Sequence, residues 1–371
     1  MKQGWEYKKF ETCINKTPKP KQVKTEDYNS GTKYPIVSQE DKLISGYYDD
    51  ESYVFHIDSP VVIFGDHTRV LKYVDFDFVV GADGVKIISP KQDLNTKFLL
   101  YYLQWYKIPN LGYSRHYKLL KELNIPLPPK STQLAIVSEL DKINELIRLK
   151  KEQLKDLDKL AQSIFYEMFG DPVENERGWE VKMLGDVCNI TSSKRIFADE
   201  YTDKGIPFYR SKEVIERSKG LPISVELFIS PERYSEIKEK FGIPNVGDIL
   251  ITAVGTIGKI WSIDTDEKFY FKDGNLVWLK DIDSSLANTI FFRRLLEYLI
   301  DEYKKINANG AAYSALTIAK LKLMQCPLPP LPLQHLFAHR IEQTEHQKSE
   351  VQKAITDLET LLASRMQYWF E

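Results

Sequence analysis

The chain has 371 residues, 43% of them hydrophobic and 12% aromatic, and its 51 basic and 53 acidic side chains leave a net charge of −2. That is enough apolar material for two cores, and it excludes a disordered or fibrous chain and one that coats nucleic acid by bulk positive charge. The apolar runs are too interrupted for a membrane span, the start lacks a signal-peptide pattern, and Cys13, Cys188 and Cys326 fit neither a disulfide framework nor a zinc spacing, so a reducing cytoplasm is expected.

In chain order, a polar opening leads to short runs rich in β-branched and aromatic residues. Tyr34–Val37, Val61–Phe64 and Val85–Ile88 are bounded by Gly, Asp and Pro and predict strands. A helix is predicted from Asn95 to about Tyr106, and a shorter helical pattern leads into the Pro-Leu-Pro-Pro corner at Pro126–Pro129. From Thr132 to Phe169 there is neither Gly nor Pro. Ile136, Leu140, Ile143, Ile147, Leu154, Leu157, Ala161, Ile164 and Met168 recur there at three- and four-residue spacing, and Lys150 alone breaks the seam. Such a seam predicts a coiled-coil helix, and ~38 residues would span about 57 Å. Gly170-Asp171-Pro172 ends it.

The order then begins again. Gly178 to Cys188 repeats Gly4 to Cys13, strands are predicted at Ile206–Tyr209, Asp248–Ile251 and Leu276–Leu279, and a helix from Asn288 to about Lys304. Asn288-Thr289 mirrors Asn95-Thr96, and Tyr313-Ser314 mirrors Tyr113-Ser114. The segment from Cys326 repeats that from Ile125 at an offset of 201 residues, without a gap, through Gln133/Gln334, Ser163/Ser364 and Phe169/Phe370. The matching second seam is Phe337, Ile341, Thr344, Lys348, Val351, Ile355, Leu358, Leu362, Arg365 and Trp369.

Two copies of one module in tandem follow from this repeat. The expected fold class is α+β, with two similar globular domains carrying curved β-sheets, separated by a long antiparallel two-helix coiled coil. The boundaries are 1–130 and 171–330 for the domains, 131–170 and 331–371 for the helices. The expected coil interface sets Leu140, Ile143, Ile147, Leu154, Leu157 and Ile164 against Val351, Ile355, Leu358 and Leu362. Two independent amphipathic helices are the plainer reading, but a domain of this size cannot cover so long a stripe.

The order of domain, Pro-Leu-Pro-Pro corner, long helix, repeated once, resembles the specificity subunit of type I restriction-modification systems. Leu184 to Ile190, Gly205 to Val214, Gly247 to Ile260 and Gly310 to Gln334 are similar to the scattered motifs of that family. The resemblance covers essentially the whole chain, and the order and duplication of these motifs carry it. It implies two target recognition domains reading the two halves of a bipartite, asymmetric DNA site. It further implies two modification (methyltransferase) subunits that methylate adenine, and restriction (motor-nuclease) subunits that cleave with ATP. The partners would use S-adenosylmethionine, ATP and Mg, and this chain would bind no cofactor and no metal. The copies diverge where they would read: Gly255 to Lys259 stands opposite Gly65 to Arg69, and Tyr209 to Lys212 opposite Val37 to Glu40.

No residues read as catalytic. The tetrapeptide of amino-methyltransferases is missing, because Pro128-Pro129 and Pro329-Pro330 follow Leu. Gly255-Thr256-Ile257-Gly258-Lys259 has the wrong glycine spacing for a phosphate loop, and Ile260 stands where Ser or Thr would hold magnesium. A turn offering Thr256 and Lys259 to DNA phosphates is one reading, a plain hairpin the other. His335 and His339 lack the glutamate of a zinc protease, and the charged run from Ser235 to Lys240 reads as a solvated helix face.

The expected DNA contacts mix basic, polar and aromatic side chains, since Lys and hydroxyls anchor phosphates while Arg, Gln and Asn can pair with base edges. In the first domain they are Lys16, Lys19, Lys21, Ser38, Gln39, His67, Arg69, Arg115 and His116. In the second they are Lys194, Arg195, Tyr209, Arg210, Ser211, Lys212, Thr256, Lys259, Asn309, Tyr313 and Ser314. A solvated surface charge is the alternative for each one, and Tyr113 and Tyr313 could equally be core anchors. For the whole chain, the alternative is a non-reading assembly scaffold or a recombination reservoir of specificity subunits.

Overall fold

In the computed structural model, residues 4–112, 114–307 and 315–371 are described. The chain divides into two units, Met1–Leu154 with Glu350–Glu371, and Lys155–Ser349.

The first unit opens with β1 (Glu6–Lys9) and the single turn α1 (Phe10–Cys13). Then come β2 (Tyr34–Val37), β3 (Gly46–Tyr48), β4 (Val54–Phe55), β5 (Val61–Gly65), β6 (Leu71–Val74), β7 (Phe78–Val80) and β8 (Val85–Ile88). Helices α2 (Thr96–Tyr106) and α3 (Tyr117–Lys121), strand β9 (Asn124–Leu127) and the long α4 (Lys130–Phe169) follow. Two sheets, in the orders β3-β2-β7-β4 and β6-β5-β8, form the body, and β1 pairs antiparallel with β9.

The second unit repeats the plan. It has β10 (Glu180–Met183), α5 (Leu184–Val187), β11 (Asn189–Thr191), β12 (Tyr201–Thr202), β13 (Ile206–Tyr209), α6 (Ser211–Ser218), β14 (Phe228–Ile229) and α7 (Pro231–Phe241). It continues with β15 (Ile249–Thr252), β16 (Ile260–Ser262), β17 (Tyr270–Phe271), β18 (Leu276–Lys280), α8 (Thr289–Asn307), α9 (Ile318–Lys322), β19 (Gln325–Leu328) and α10 (Leu331–Phe370). Its sheets run β11-β18-β15-β16 and β12-β14-β13-β17. The fold is α+β, as expected.

The sequence repeat has a hydrogen-bonded basis. Glu6 faces Leu127 across β1 and β9, and Glu180 faces Leu328 across β10 and β19. The start and end of each copy are thus one ribbon, and their pairing register is the same in both. In each copy a parallel pair also carries the polar segment that diverges: Val37 faces Val80 on β2 and β7, and Tyr209 faces Phe271 on β13 and β17.

Within each unit, segments of α4 and α10 pack antiparallel. In the first, Glu139 bonds Arg365 and Lys151 meets Glu359 at 2.7 Å. In the second, Asp158 meets Lys348 at 2.8 Å and Phe165 packs edge-on to Phe337 at 5.6 Å. Leu140, Ile143 and Ile147 are buried with Val351 and Ile355 in the first unit, and Leu157 is buried in the second. Leu154, Ile164, Leu358 and Leu362 are half-buried.

The core of the first unit joins Phe98 and Leu99 of α2 to Phe10, Ile125, Leu140 and Phe370. That of the second joins Phe291, Phe292 and Leu295 of α8 to Phe165, Phe169 and Phe337. All three cysteines are buried and free, and burial pushes the thiols of Cys188 and Cys326 up to about 12. No helix among the described residues is long and apolar enough to cross a membrane.

Candidate nucleic-acid interface

The β5–β6 turn organises one face of the first unit. Gly65 N donates to the Val70 carbonyl at 2.9 Å and Arg69 N to the Gly65 carbonyl at 2.7 Å, which closes the turn with Arg69 at φ 63°. Asp66 is its anchor. Its carboxylate accepts from Tyr117 N at 2.7 Å, and its carbonyl accepts from His116 N and Nδ1, both at 2.9 Å. Leu111 N donates to His116 Nε2 at 3.0 Å, so the proton sits on Nδ1. The segment before α3 is thereby tied to the turn.

Beside it lies a cleft of about 780 Å³ with three walls. One is the strap Asn15–Pro20, which carries Pro18 and Pro20 and belongs to no helix or strand. The second is the turn from Asp83 into β8, where Gly84 holds φ 95° and an added Cβ would meet Gln39 Oε1 at 2.7 Å. The third is Arg115 to Lys121. Lys16, Lys19 and Arg115 are brought together here, all exposed and without an ion pair to the described residues.

Two cations of this cleft escaped the sequence reading. Lys86 stands 3.8 Å from the Asp66 carboxylate, with its ammonium 5.7 Å from the Tyr117 ring. Lys121 pairs with Glu11 at 2.9 Å and lies 5.9 Å from the same ring. A ring flanked by two lysines is the kind of surface on which a nucleic-acid backbone can lie.

Other expected contacts in this unit fall elsewhere. Ser38 is buried, sharing a 2.6 Å hydrogen bond with Ser45, and His116 is buried in the network around Asp66. Both leave the candidate set, because their polar atoms are already used inside the fold. Lys72 holds the same region from within, donating to the Ser38 carbonyl at 2.8 Å and to that of Lys42; burial lowers its ammonium pKa.

Gln39 is half-buried and spends its amide on the Asp83 carbonyl at 3.0 Å and its oxygen on His67 N at 3.4 Å. His67 is half-buried on the same turn. Arg69 donates to the Ile108 carbonyl at 3.1 Å and lines a separate cleft with Lys107 and Asn110. Lys21 turns to Ser52 at 3.1 Å and to the Tyr53 ring, outside the main cleft.

The second unit presents corresponding elements with different side chains. Asp273-Gly274 leads into β18 as Asp83-Gly84 leads into β8, and Gly274 holds φ 74°. The strap of this unit is the segment 192–196 that follows β11; on it Arg195 bonds Asp273 at 2.7 Å, Lys194 N donates to the Tyr270 hydroxyl at 2.7 Å, and the Lys194 ammonium stands over Phe241.

At the end of β13, Tyr209 is turned inward as Ser38 and His116 are. It is 2% exposed and stacked on Phe269 at 4.6 Å, a core residue and not the surface contact expected of it. Arg210 and Lys212 follow it, and Glu226 bridges them at 2.9 and 2.7 Å. The hydrogen bond from Lys212, then that from Arg210, holds the Glu226 carboxyl below its ordinary range. Ser211 is half-buried at the start of α6.

The β15–β16 turn is closed by Thr252. Its hydroxyl donates to the Thr256 carbonyl at 2.5 Å and accepts from Lys259 N at 2.9 Å, leaving the side chains of Thr256 and Lys259 exposed. Gly258, at φ 77°, is required because an added Cβ would collide with Ile300. This is a hairpin turn with two polar tips, without the architecture of a phosphate loop. Asn309, Tyr313 and Ser314, and Tyr113 of the first unit, lie outside the described residues.

His335 Nδ1 contacts the Asn288 amide at 3.3 Å and His339 Nε2 that of Gln343 at 3.2 Å. No group of three or more His, Cys, Asp or Glu among the described residues is placed to hold a metal.

Two β-rich units of one plan, long helices that pack antiparallel, and polar loops that differ between the copies define a duplicated two-module α+β protein without a metal-holding group among the described residues. The family model described as the type I restriction modification DNA specificity domain matches residues 2–159 and again 176–360. The chain belongs to this family: it is the DNA target specificity subunit of a type I restriction-modification system, the non-catalytic subunit of that enzyme complex.

It is 29% identical over 302 residues to a putative type I restriction enzyme specificity subunit of Haemophilus influenzae, covering 77% of this chain and 74% of that one. It is 29% identical over 237 residues to the MjaIX specificity subunit of Methanocaldococcus jannaschii, covering 59% and 53%. The fold is similar to that of the crystallised S subunit from M. genitalium, with a TM-score of 0.58, 17% identity and coverage of 99% and 96%. A chain solved for complex assembly and conformational transition of the type I R-M system has a TM-score of 0.62 at 19% identity, covering 99% and 98%.

Proposed function

We propose that the two units read the two halves of a bipartite, asymmetric DNA site, each through its strap, its Asp-Gly turn and its hairpin turn. The observation that carries this reading is a shared pairing register under divergent loops. The β1–β9 and β10–β19 ribbons share one register, while Gly65 to Arg69 and Gly255 to Lys259 cap equivalent hairpins with different side chains. In the first unit, Lys16, Lys19, Lys86 and Arg115 anchor phosphates along the cleft, with Tyr117 as its floor. In the second, Lys194, Arg195, Arg210, Lys212, Thr256 and Lys259 take that role.

In this reading the chain works in the cytoplasm with two modification subunits, which use S-adenosylmethionine to methylate adenine. Restriction subunits, using ATP and Mg, cleave unmodified DNA. The chain directs both reactions by placing the complex on its site. Genome-wide mapping of methylated adenine with and without this gene tests the proposal. One bipartite motif that loses methylation on deletion is the expected result; an unchanged methylation map would refute it.

A further inference from the structure

Cations on the two candidate surfaces differ in how they are held. In the first unit Lys16, Lys19 and Arg115 carry no ion pair to the described residues, whereas Lys86 stands 3.8 Å from Asp66 and Lys121 2.9 Å from Glu11, each with a carboxylate of its own. In the second, Arg210 and Lys212 are both occupied, and Glu226 occupies them jointly. Its Oε2 lies 2.9 Å from Arg210 Nη2 and its Oε1 2.7 Å from Lys212 Nζ.

The three groups are unequally exposed. Glu226 stands on the segment between α6 and β14, with its side chain 53% exposed. Behind Arg210, Glu213 is 1% exposed, accepting from Arg210 Nη2 at 2.9 Å and from Arg210 N at 2.7 Å. The guanidinium is therefore oriented by a buried carboxylate on one side and covered by a solvent-facing one on the other. Removing Glu226 leaves the orientation intact, because Glu213 supplies it. The solvent-facing carboxylate offers these cations two anionic oxygens, as a phosphodiester does.

We propose that Glu226 is a specificity-determining residue that masks Arg210 and Lys212 from the phosphates of non-cognate duplex DNA. The inference rests on the DNA-reading function proposed above. A duplex that only brushes the surface must displace Glu226, and the loss of its two ion pairs offsets the new bonds to phosphate. A duplex that docks fully is held at enough other points to drive the exchange. The carboxylate thus lowers non-specific affinity while leaving the cations available to the correct site. The equivalent position in the first unit, Val37 to Glu40 at the end of β2, carries no Arg or Lys, so a carboxylate shared by two cations is absent at that position.

The test uses the full chain, as wild type, E226Q, E226A and E267Q, titrated onto a random-sequence duplex of about 30 base pairs over a range of salt. Glu267 pairs with Arg217 at 2.7 Å and is the control for an exposed carboxylate on a cation outside the proposed contacts. E226Q and E226A are expected to bind the duplex about threefold to tenfold more tightly at low salt, the range two exposed ion pairs can cover. The slope of log affinity on log salt should steepen by about one to two, with E267Q like the wild type. Equal affinity and slope for wild type and E226Q would overturn the proposal, and so would the same gain in E267Q. Binding by the wild type with no change in E226Q leaves the DNA reading standing and removes only the mask. Duplex binding by none of the four proteins would overturn the mask, since uncovering the two cations would then add no affinity, while the reading itself stands or falls on the methylation map.

Discussion

The Gln133 side-chain oxygen accepts the backbone N–H of Asn95 at 2.8 Å, which fixes the start of α2 against the start of α4. Gln334 does the same to Asn288 at 2.8 Å in the second unit. The Gln133 amide donates to the Asp93 and Pro128 carbonyls, and that of Gln334 to the Leu286 and Pro329 carbonyls. Asn95 and Asn288 meanwhile cap their own helices. A buried amide satisfies three backbone groups at once, and this explains why the glutamine recurs behind each Pro-Leu-Pro-Pro corner.

Gln133→Leu keeps the size and removes all three bonds, leaving the half-buried Asn95 N–H without its acceptor. Destabilisation of the first unit by about 2–4 kcal/mol is expected in urea unfolding. Gln334→Leu should cost the second unit a similar amount.

The aromatic ends of the long helices close the two cores in the same way. Phe370 packs on Phe98, Tyr102 and Trp105 at 5.5, 5.7 and 5.9 Å, and Phe169 packs on Phe291 at 4.9 Å. Phe370→Ala should destabilise the first unit by about 3–5 kcal/mol, and Phe169→Ala the second. Hydrogen exchange resolved by peptide checks it, with protection lost in Thr96–Tyr106 for the first variant and in α8 for the second.

Glu139 bonds Arg365 and accepts from Trp369 Nε1 at 2.9 Å, and the Arg365 hydrogen bond holds its carboxyl below the ordinary value of 4.5. A depressed carboxyl stabilises the fold above its unfolded value and loses that contribution as pH falls through the folded one. Arg365→Met should therefore lower the urea midpoint at neutral pH, and the gap from wild type should close in acid. A gap that persists unchanged at pH about 3 would contradict the pairing.

Lys16→Met with Lys19→Met should weaken duplex binding at every sequence and reduce the salt slope by about two, without shifting the melting temperature. Tyr209→Phe should leave the duplex affinity within about twofold, because the ring is core and its hydroxyl accepts from Arg217 at 3.3 Å, inside the fold.

Much of this architecture is legible in the residues because local and global preferences agree. Tyr34–Val37, Val85–Ile88 and Ile206–Tyr209 form the strands their β-branched and aromatic runs predict, and α4 begins two residues before the predicted Thr132. Short strands such as Gly46–Tyr48 owe their form to a partner strand, here β2, and leave no pattern of their own.

The site was less legible. Ser38, His116 and Tyr209 carry polar atoms that the fold itself satisfies, which residue type alone cannot disclose. Lys86 and Lys121 sit in a strand and a short helix, and only tertiary packing brings them to Tyr117. Gln133 was visible as a repeated letter, and its buried bonding gives the reason.

The most direct test of two separate readers exchanges residues 172–330 for the corresponding domain of another family member, followed by mapping of methylated adenine. One half of the recognised site should change and the other should stay as it was. A map in which both halves persist, or both change, would contradict the account.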